Sequence, residues 1–127
     1  LAMSSRRDAL RTVVVTTFRF ARAHQPAMRM MLRSVVEQGQ VPEDRRERVQ
    51  GPFLERASAL LSVPFGRTPE SLRFPLQSLV FLIARYAISS DAELSMLAGD
   101  ADPLAAVETH LVEVAVAILS VSQEPPS

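Results

Sequence analysis

Cysteine is absent from this chain, and histidine and glycine are scarce, with two and four residues. Without cysteine there is no disulfide framework, no thiolate nucleophile and no cysteine-bound zinc, and a reducing cytoplasm is the expected location. Two histidines leave little scope for imidazole chemistry, and no enzyme signature is present. We therefore expect a protein that is not an enzyme and that uses neither a metal ion nor another cofactor.

Long apolar runs are missing as well. The longest in the second half, from Leu79 to Ala84, is far shorter than the roughly 20 residues that span a bilayer. No signal-peptide pattern opens the sequence. We expect no membrane partner.

The composition is that of one globular domain over residues 1–127, with 47% apolar and 22% charged residues. All 14 basic residues are arginine, and 14 acidic residues balance them, so no strong overall attraction to nucleic acid is expected. The charges are unevenly placed. Residues 1–48 hold ten arginines against five acidic residues, and residues 49–127 hold four against nine. The two halves are therefore predicted to attract each other.

The periodicity predicts an all-α fold, because apolar residues recur every three or four positions and hairpin turn signals are absent. Prolines and glycines divide the chain into helices. The first three are expected over about Arg6 to His24, over Pro26 to Gly39, and from Pro42 through a kink or break at Gly51-Pro52 to Ser62.

Cap signals mark the remaining helices. Thr68-Pro69-Glu70 predicts a fourth helix to about Ser90, and the stretch over residues 91–100 predicts a loop or one or two turns. Asp102-Pro103 predicts a last helix to about Ser122, and residues 123–127 are expected to fray. The prediction is a bundle of five to six helices.

Two predicted helices are apolar on more than one side, as expected of helices that lie between their own core and a partner subunit. On the last helix, one arc runs from Leu104 to Ile118 and an adjoining arc contains Val112, Val116 and Leu119. On the fourth, an apolar row recurs every seven residues. We predict a homodimer with a four-helix interface, formed by Phe74, Gln77, Phe81, Arg85, Ile88, Glu108, Val112, Val116 and Leu119.

Glu108 lies in the middle of the apolar surface of the last helix. A buried carboxylate costs several kcal/mol unless it is paired, so one hypothesis is a salt bridge to Arg85 of the same or the partner chain. The alternative is that Glu108 reaches solvent at the edge of the helix. The sequence leaves both open.

Polar and flexible residues on inward faces are candidates for ligand contact. Thr17 and His24 lie in the apolar arc of the first helix, although Thr17 could bond its own backbone and His24 could bond a carbonyl at the helix end. Met28 and Met31 face inward on the second helix, where methionine usually fills a core but also lines adaptable pockets.

Other charged groups have simpler explanations. The run DRRER at residues 44–48 is interpreted as a solvated helical face, since it lacks interleaved aromatic residues. His110 and Glu113 lie one turn apart, but two residues on an exposed strip fall short of a metal site.

This order of helices resembles the C-terminal ligand-binding and dimerisation domain of the TetR family of bacterial transcriptional repressors. The likeness is carried by FRFARAHQPAMRMMLRSVVEQG at residues 18–39, by Gly51-Pro52 within the next long helix, and by TPESLRFPLQSLVFLIARY in place of the commoner Asp-Pro start. It extends over about residues 6–122. It is a likeness of layout more than of invariant motif.

The resemblance implies an all-α effector domain whose first three helices enclose an apolar pocket and whose last two form the dimer. An apolar small molecule would bind there and release the parent protein from operator DNA by allostery. The family's helix-turn-helix of about fifty residues does not occur in this sequence, so DNA binding is expected of a parent protein only. The expected ligand-binding residues are Val14, Thr17, Phe18, His24, Met28, Met31 and Phe53.

Two other classes of protein remain open. A stand-alone helical adaptor or dimerisation module would share the two-sided last helix but would have no internal cavity. A lipid-binding protein or a lid-covered enzyme would need a pocket together with titratable groups, which this chain largely lacks.

Overall fold

A computed structural model describes residues 3–120, and the elements in this part of the chain are all helical. The all-α prediction is confirmed there. In chain order the elements are α1 (Met3–Ala23), α2 (Gln25–Gln38), α3 (Glu43–Arg45), a π-helical segment (Arg46–Gln50), α4 (Gly51–Phe65), a 3₁₀ turn (Glu70–Leu72), α5 (Arg73–Ala87), α6 (Asp91–Ala98) and α7 (Pro103–Leu119).

The break between α1 and α2 falls at His24, as the position of Pro26 predicts. His24 has φ −124° and ψ 44°, outside the helical region, and Pro26 occupies the first turn of α2, where its missing N–H is not needed. Gly39 ends α2 with φ 74°, and its N–H donates to the carbonyl of Val35.

The third predicted helix is interrupted, but the interruption differs from the expected kink. The chain forms a π-helical segment immediately before Gly51-Pro52, in which the N–H of Gly51 donates to the carbonyl of Arg46, five residues earlier. A Cβ on Gly51 would lie 3.0 Å from that oxygen, so the wide turn favours glycine. Beyond Ser62, α4 runs on to Phe65 and ends at Gly66 with φ 59°.

The helix predicted from Thr68 begins with a 3₁₀ turn and becomes α-helical only at Arg73. Pro75 lies in the first turn of α5, where a backbone donor is not needed. This helix ends at Ala87 rather than Ser90, because the Ser90 hydroxyl caps α6 by accepting a hydrogen bond from the N–H of Glu93. Two turns of helix follow, one of the two outcomes expected for this stretch.

The last helix begins as predicted, with Asp102 as its N-cap and Pro103 in its first turn. The Asp102 carboxylate accepts a hydrogen bond from the N–H of Ala105 at 2.9 Å. In the part of the chain that the structure describes, α7 ends at Leu119, and the predicted end at about Ser122 lies outside it. The fraying expected for residues 123–127 lies outside the described residues.

Helix α1 is at the centre of the bundle and contacts α2, α4, α5 and α7. Its inward stripe of Leu10, Val14 and Phe18 is buried, as are Leu111 and Ala115 of α7. Burial of this apolar surface is the main favourable contribution to the fold.

Two arginines of α1 join the basic first half of the chain to the acidic second half. Arg19 pairs with Glu108 of α7 at 3.2 Å, and Arg22 pairs with Asp91 at the start of α6 at 2.8 Å. The predicted attraction between the halves is thus expressed in specific ion pairs. No helix within residues 3–120 combines the length and apolar character needed to cross a membrane.

Candidate functional site

A cavity of about 390 Å³ lies between α1, α2, the π-helical segment, the start of α4 and the middle and second half of α5. Its size is within the range of about 300–1,000 Å³ that is usual for small-molecule sites. Most of its lining is apolar. The lining residues are Thr16, Thr17, Phe20, Ala21, Met28, Met31, Val41, Arg45, Val49, Gln50, Phe53, Leu54, Gln77, Val80, Phe81, Ile83 and Ala84.

The mouth of the cavity and its interior have different surroundings. Thr16, Phe20 and Val49 are exposed and mark the side that opens to solvent, whereas Ala21 and Ala84 are buried. The cavity is therefore a cleft with a buried apolar end, a shape that shields much of a bound ligand from water.

The π-helical segment supplies one wall. Its backbone bonds join residues five apart instead of four, so residues spaced by four and five share one side of the helix. Arg45, Val49, Gln50, Phe53 and Leu54 follow this spacing, and all five line the cavity. The local widening of the helix thus turns a longer stretch of chain toward the site.

A hydrogen bond between two glutamines joins this wall to α5. The Nε2 of Gln50 donates to Oε1 of Gln77 at 2.7 Å, and both side chains are half-buried. This single hydrogen bond joins two helices at the edge of the cavity.

The structure brings four of the seven predicted ligand-binding residues to the cavity: Thr17, Met28, Met31 and Phe53. Val14 and Phe18 do not line this cavity. Both side chains are buried in the core beside it. Phe18 instead borders a second cavity of about 310 Å³, together with Arg19, Arg22, Ala23, Leu104 and Glu108.

His24 is exposed and does not line the main cavity. Its Nδ1 lies 2.8 Å from the carbonyl oxygen of Phe20, and its ring stacks on the Phe20 ring with 4.2 Å between the centroids. This is the helix-end arrangement that the sequence offered as the alternative to ligand contact. Through the stacking, His24 supports an aromatic residue at the cavity mouth.

Several lining residues were not anticipated. The residues of the π-helical segment were missed because no signal in one sequence marks a π-helical turn, although Gly51-Pro52 marks its end. Val41 was missed because it lies between α2 and α3, outside any helical face. Phe20 was missed because it lies at the edge of the inward stripe of α1 and is half exposed.

Four residues of the predicted dimer interface lie elsewhere. Gln77 and Phe81 face the cavity, because α5 forms its wall. Val112 and Leu119 are fully buried in the core of the same chain, which leaves neither side chain free to contact a second chain. Part of the second apolar arc of α7 is thus buried within the same subunit.

The other predicted interface residues remain nearer the surface. Phe74 is 87% exposed, and Ile88 and Val116 are half-buried against the core. Arg85 is exposed and pairs with Glu93 at 2.8 Å, and it also donates to the Ser89 hydroxyl. These residues are the part of the predicted surface that a partner chain can reach.

Glu108 is largely buried, with 13% of its side chain exposed, and its partner is Arg19 at 3.2 Å. Within this chain, Glu108 does not pair with Arg85, and it does not simply reach solvent at the edge of the helix. A salt bridge to Arg85 of a partner chain stays a prediction. The sequence did not favour Arg19 because the pair is 89 residues apart and depends on how α1 packs on α7.

The described residues contain no group of three or more histidine and acidic side chains placed to hold a metal ion. Comparisons with known protein families, curated proteins and solved structures give no match.

Proposed function

We propose that this chain is the effector-binding and dimerisation domain of a transcriptional regulator of the TetR type. An apolar small molecule occupies the cavity between α1, α2, the π-helical segment and α5. The observation that carries the proposal is the cavity itself, which is lined mainly by apolar side chains and is open on one side.

The chemistry of the lining supports a ligand rather than water. Phe20, Phe53 and Phe81 line the cavity together with Met28 and Met31, and such surfaces adapt to apolar ligands of irregular shape. Waters in a cavity need two to four polar partners each, which this lining does not offer at its buried end. An apolar ligand would remove that surface from water and gain about 25 cal/mol for each Å² buried.

The position of the cavity between helices allows a bound ligand to change the conformation of the rest of the parent protein. Its walls belong to separate helices, so a ligand that favours one spacing of those helices shifts the equilibrium between two conformations. In the parent regulator, which acts in the cytoplasm, the favoured conformation changes the spacing of two DNA-binding domains and releases operator DNA.

Dimerisation is the second part of the proposal. Phe74 at the start of α5 is 87% exposed, and Leu104 at the start of α7 is 42% exposed. Large exposed apolar side chains of this kind are common at protein interfaces. The proposed interface therefore uses the outer surfaces of α5 and α7, without Val112 and Leu119.

The test is thermal unfolding with decan-1-ol, a neutral apolar probe, over a range of concentrations. A ligand of the folded state adds about 2.7 kcal/mol of stability at 100 times its dissociation constant, so a saturable rise in Tm is expected. Val80→Phe adds bulk to a half-buried lining residue of α5 and should abolish the rise.

Val63→Phe is the matched control, because Val63 is highly exposed on α4 and does not line the cavity. Both variants should retain the helical circular dichroism of the unmodified protein. A Tm that does not respond to decan-1-ol, or that responds equally in Val80→Phe, would overturn the sensor proposal. The alternative function, a helical adaptor without a ligand, would then be favoured by the exposed apolar residues alone.

A further inference from the structure

Within residues 3–120, Arg45 is the single charged residue that lines the main cavity. It is half-buried, and Val49, one turn further along the same wall, is exposed at the mouth. A half-buried arginine keeps its charged end toward water, which places the positive charge at the rim rather than at the buried apolar end.

Within residues 3–120, Arg45 has no ion-pair or hydrogen-bond partner for its guanidinium, whereas the arginines beside it do. Arg46 donates to Oε1 of Gln40 at 3.3 Å, and Arg48 pairs with Asp44 at 3.0 Å. The neighbouring acid Asp44 is thus engaged by Arg48. A guanidinium next to apolar surface interacts more strongly with an anion than one surrounded by water.

The other polar side chains of the lining are uncharged and do not call for a charged group on the ligand. The Gln50 and Gln77 amides share a hydrogen bond with each other, and Thr17 is able to present its methyl group. A ligand matched to this cavity has an apolar body for the interior and one anionic group for Arg45. A carboxylate fits best, since the planar guanidinium binds it through two parallel hydrogen bonds.

We propose that the ligand is an amphipathic carboxylate whose apolar tail fills the cavity and whose carboxylate pairs with Arg45 at its mouth. This inference rests on the proposed function, because it names the chemical class of the ligand for the same cavity. It assigns to Arg45 the selection of charged over neutral ligands of equal apolar size.

The test compares decanoate with decan-1-ol, which share a tail and differ in the charge of the head. Calorimetric titration of the full chain at neutral pH should give tighter binding of decanoate. In Arg45→Gln, decanoate should bind about five- to tenfold more weakly, while decan-1-ol binding stays unchanged. Added salt should weaken binding of decanoate only, because it screens the ion pair.

Arg46→Gln is the matched control, since Arg46 is the next residue, is exposed and does not line the cavity. It should retain the preference for decanoate. Equal binding of the two probes, or a preference that survives in Arg45→Gln, would overturn the role of Arg45 and leave the cavity proposal standing. Failure of both probes to bind would overturn the cavity proposal, and the ligand class with it.

Discussion

Single arginine side chains connect helix ends that are distant in the sequence. Arg22 of α1 donates through Nη1 to the carbonyls of Ala87 and Ser89 at the end of α5, and it pairs with Asp91. Arg67 donates to the carbonyl of Leu119 at the end of α7 and to that of Ser71. The last carbonyls of a helix lack partners within the helix and carry partial negative charge, so a guanidinium stabilises them.

The first prediction concerns Arg22. Replacement by Met keeps an unbranched apolar stem but leaves the carbonyls of Ala87 and Ser89 without this donor. We expect the free energy of unfolding to fall by about 1–3 kcal/mol, measured by urea denaturation. Arg11→Met is the matched control, because Arg11 is exposed on the same helix, and its effect should stay within about 0.5 kcal/mol. Equal effects of the two changes would mean that Arg22 does not stabilise the end of α5.

The residues at which the helices begin and end are determined by local sequence signals. Which side of each helix is buried depends on the helices that pack against it. Asp102 caps α7 with a side-chain oxygen, as its position predicts, and Ser90 caps α6 in the same way, which was not predicted. Which side of α7 is buried depends on α1, and Leu111, Val112 and Leu119 are all fully buried there. An apolar arc on a helix therefore indicates burial without indicating whether the same chain or another chain provides it.

The second prediction concerns the start of α7. Asp102→Ala removes the acceptor of the Ala105 N–H and should lower the free energy of unfolding by about 1 kcal/mol. Asp100→Ala is the control, since Asp100 is exposed and precedes the helix. Chemical denaturation of both variants checks the expectation. A loss in Asp100→Ala as large as that in Asp102→Ala would point to general charge rather than to the cap.

For the molecule as a whole, the bundle presents two kinds of apolar surface. One is concave and lies between helices, where α5 contributes Gln77, Val80 and Phe81 to the cavity. The other is convex and carries Phe74 at the start of the same helix. In the proposed function, helix α5 both lines the cavity and carries part of the dimer surface. A bound ligand and a partner chain would therefore contact the same helix.

The third prediction tests the proposed dimer. Phe74→Glu should weaken self-association about tenfold or more, equivalent to about 1.4 kcal/mol, because an apolar anchor is replaced by a charge. The stability of the subunit should not fall, since Phe74 is 87% exposed and an acid in the first turn of α5 complements the helix dipole. Sedimentation over a range of concentrations measures the dimer constant.

Val36→Glu is the control, because Val36 is 85% exposed on α2 and lies outside the proposed surface. A dimer that tolerates Phe74→Glu as well as Val36→Glu would exclude the start of α5 from the interface. A chain that sediments as a monomer at every concentration would remove the dimerisation part of the proposal and leave the cavity untouched.

Local rules in the amino-acid order account for most of the fold. The three- and four-residue periodicity, the prolines after His24 and Asp102, and Gly39 and Gly66 at helix ends place the helices close to where they are found. These signals act over one or two turns of chain, so they do not depend on the arrangement of distant segments. Four of the seven residues expected to bind a ligand line the cavity, and their binding of a ligand stays a prediction.

Packing between helices determined the rest. The partner of Glu108, the burial of Val112 and Leu119, and the turn of Phe81 toward the cavity all depend on contacts between segments far apart in the chain. The π-helical turn that brings Arg45 and Gln50 to the cavity is a further example. Periodicity shows that a side chain prefers to leave water, but the neighbour that covers it is set by the free energy of the whole packed bundle.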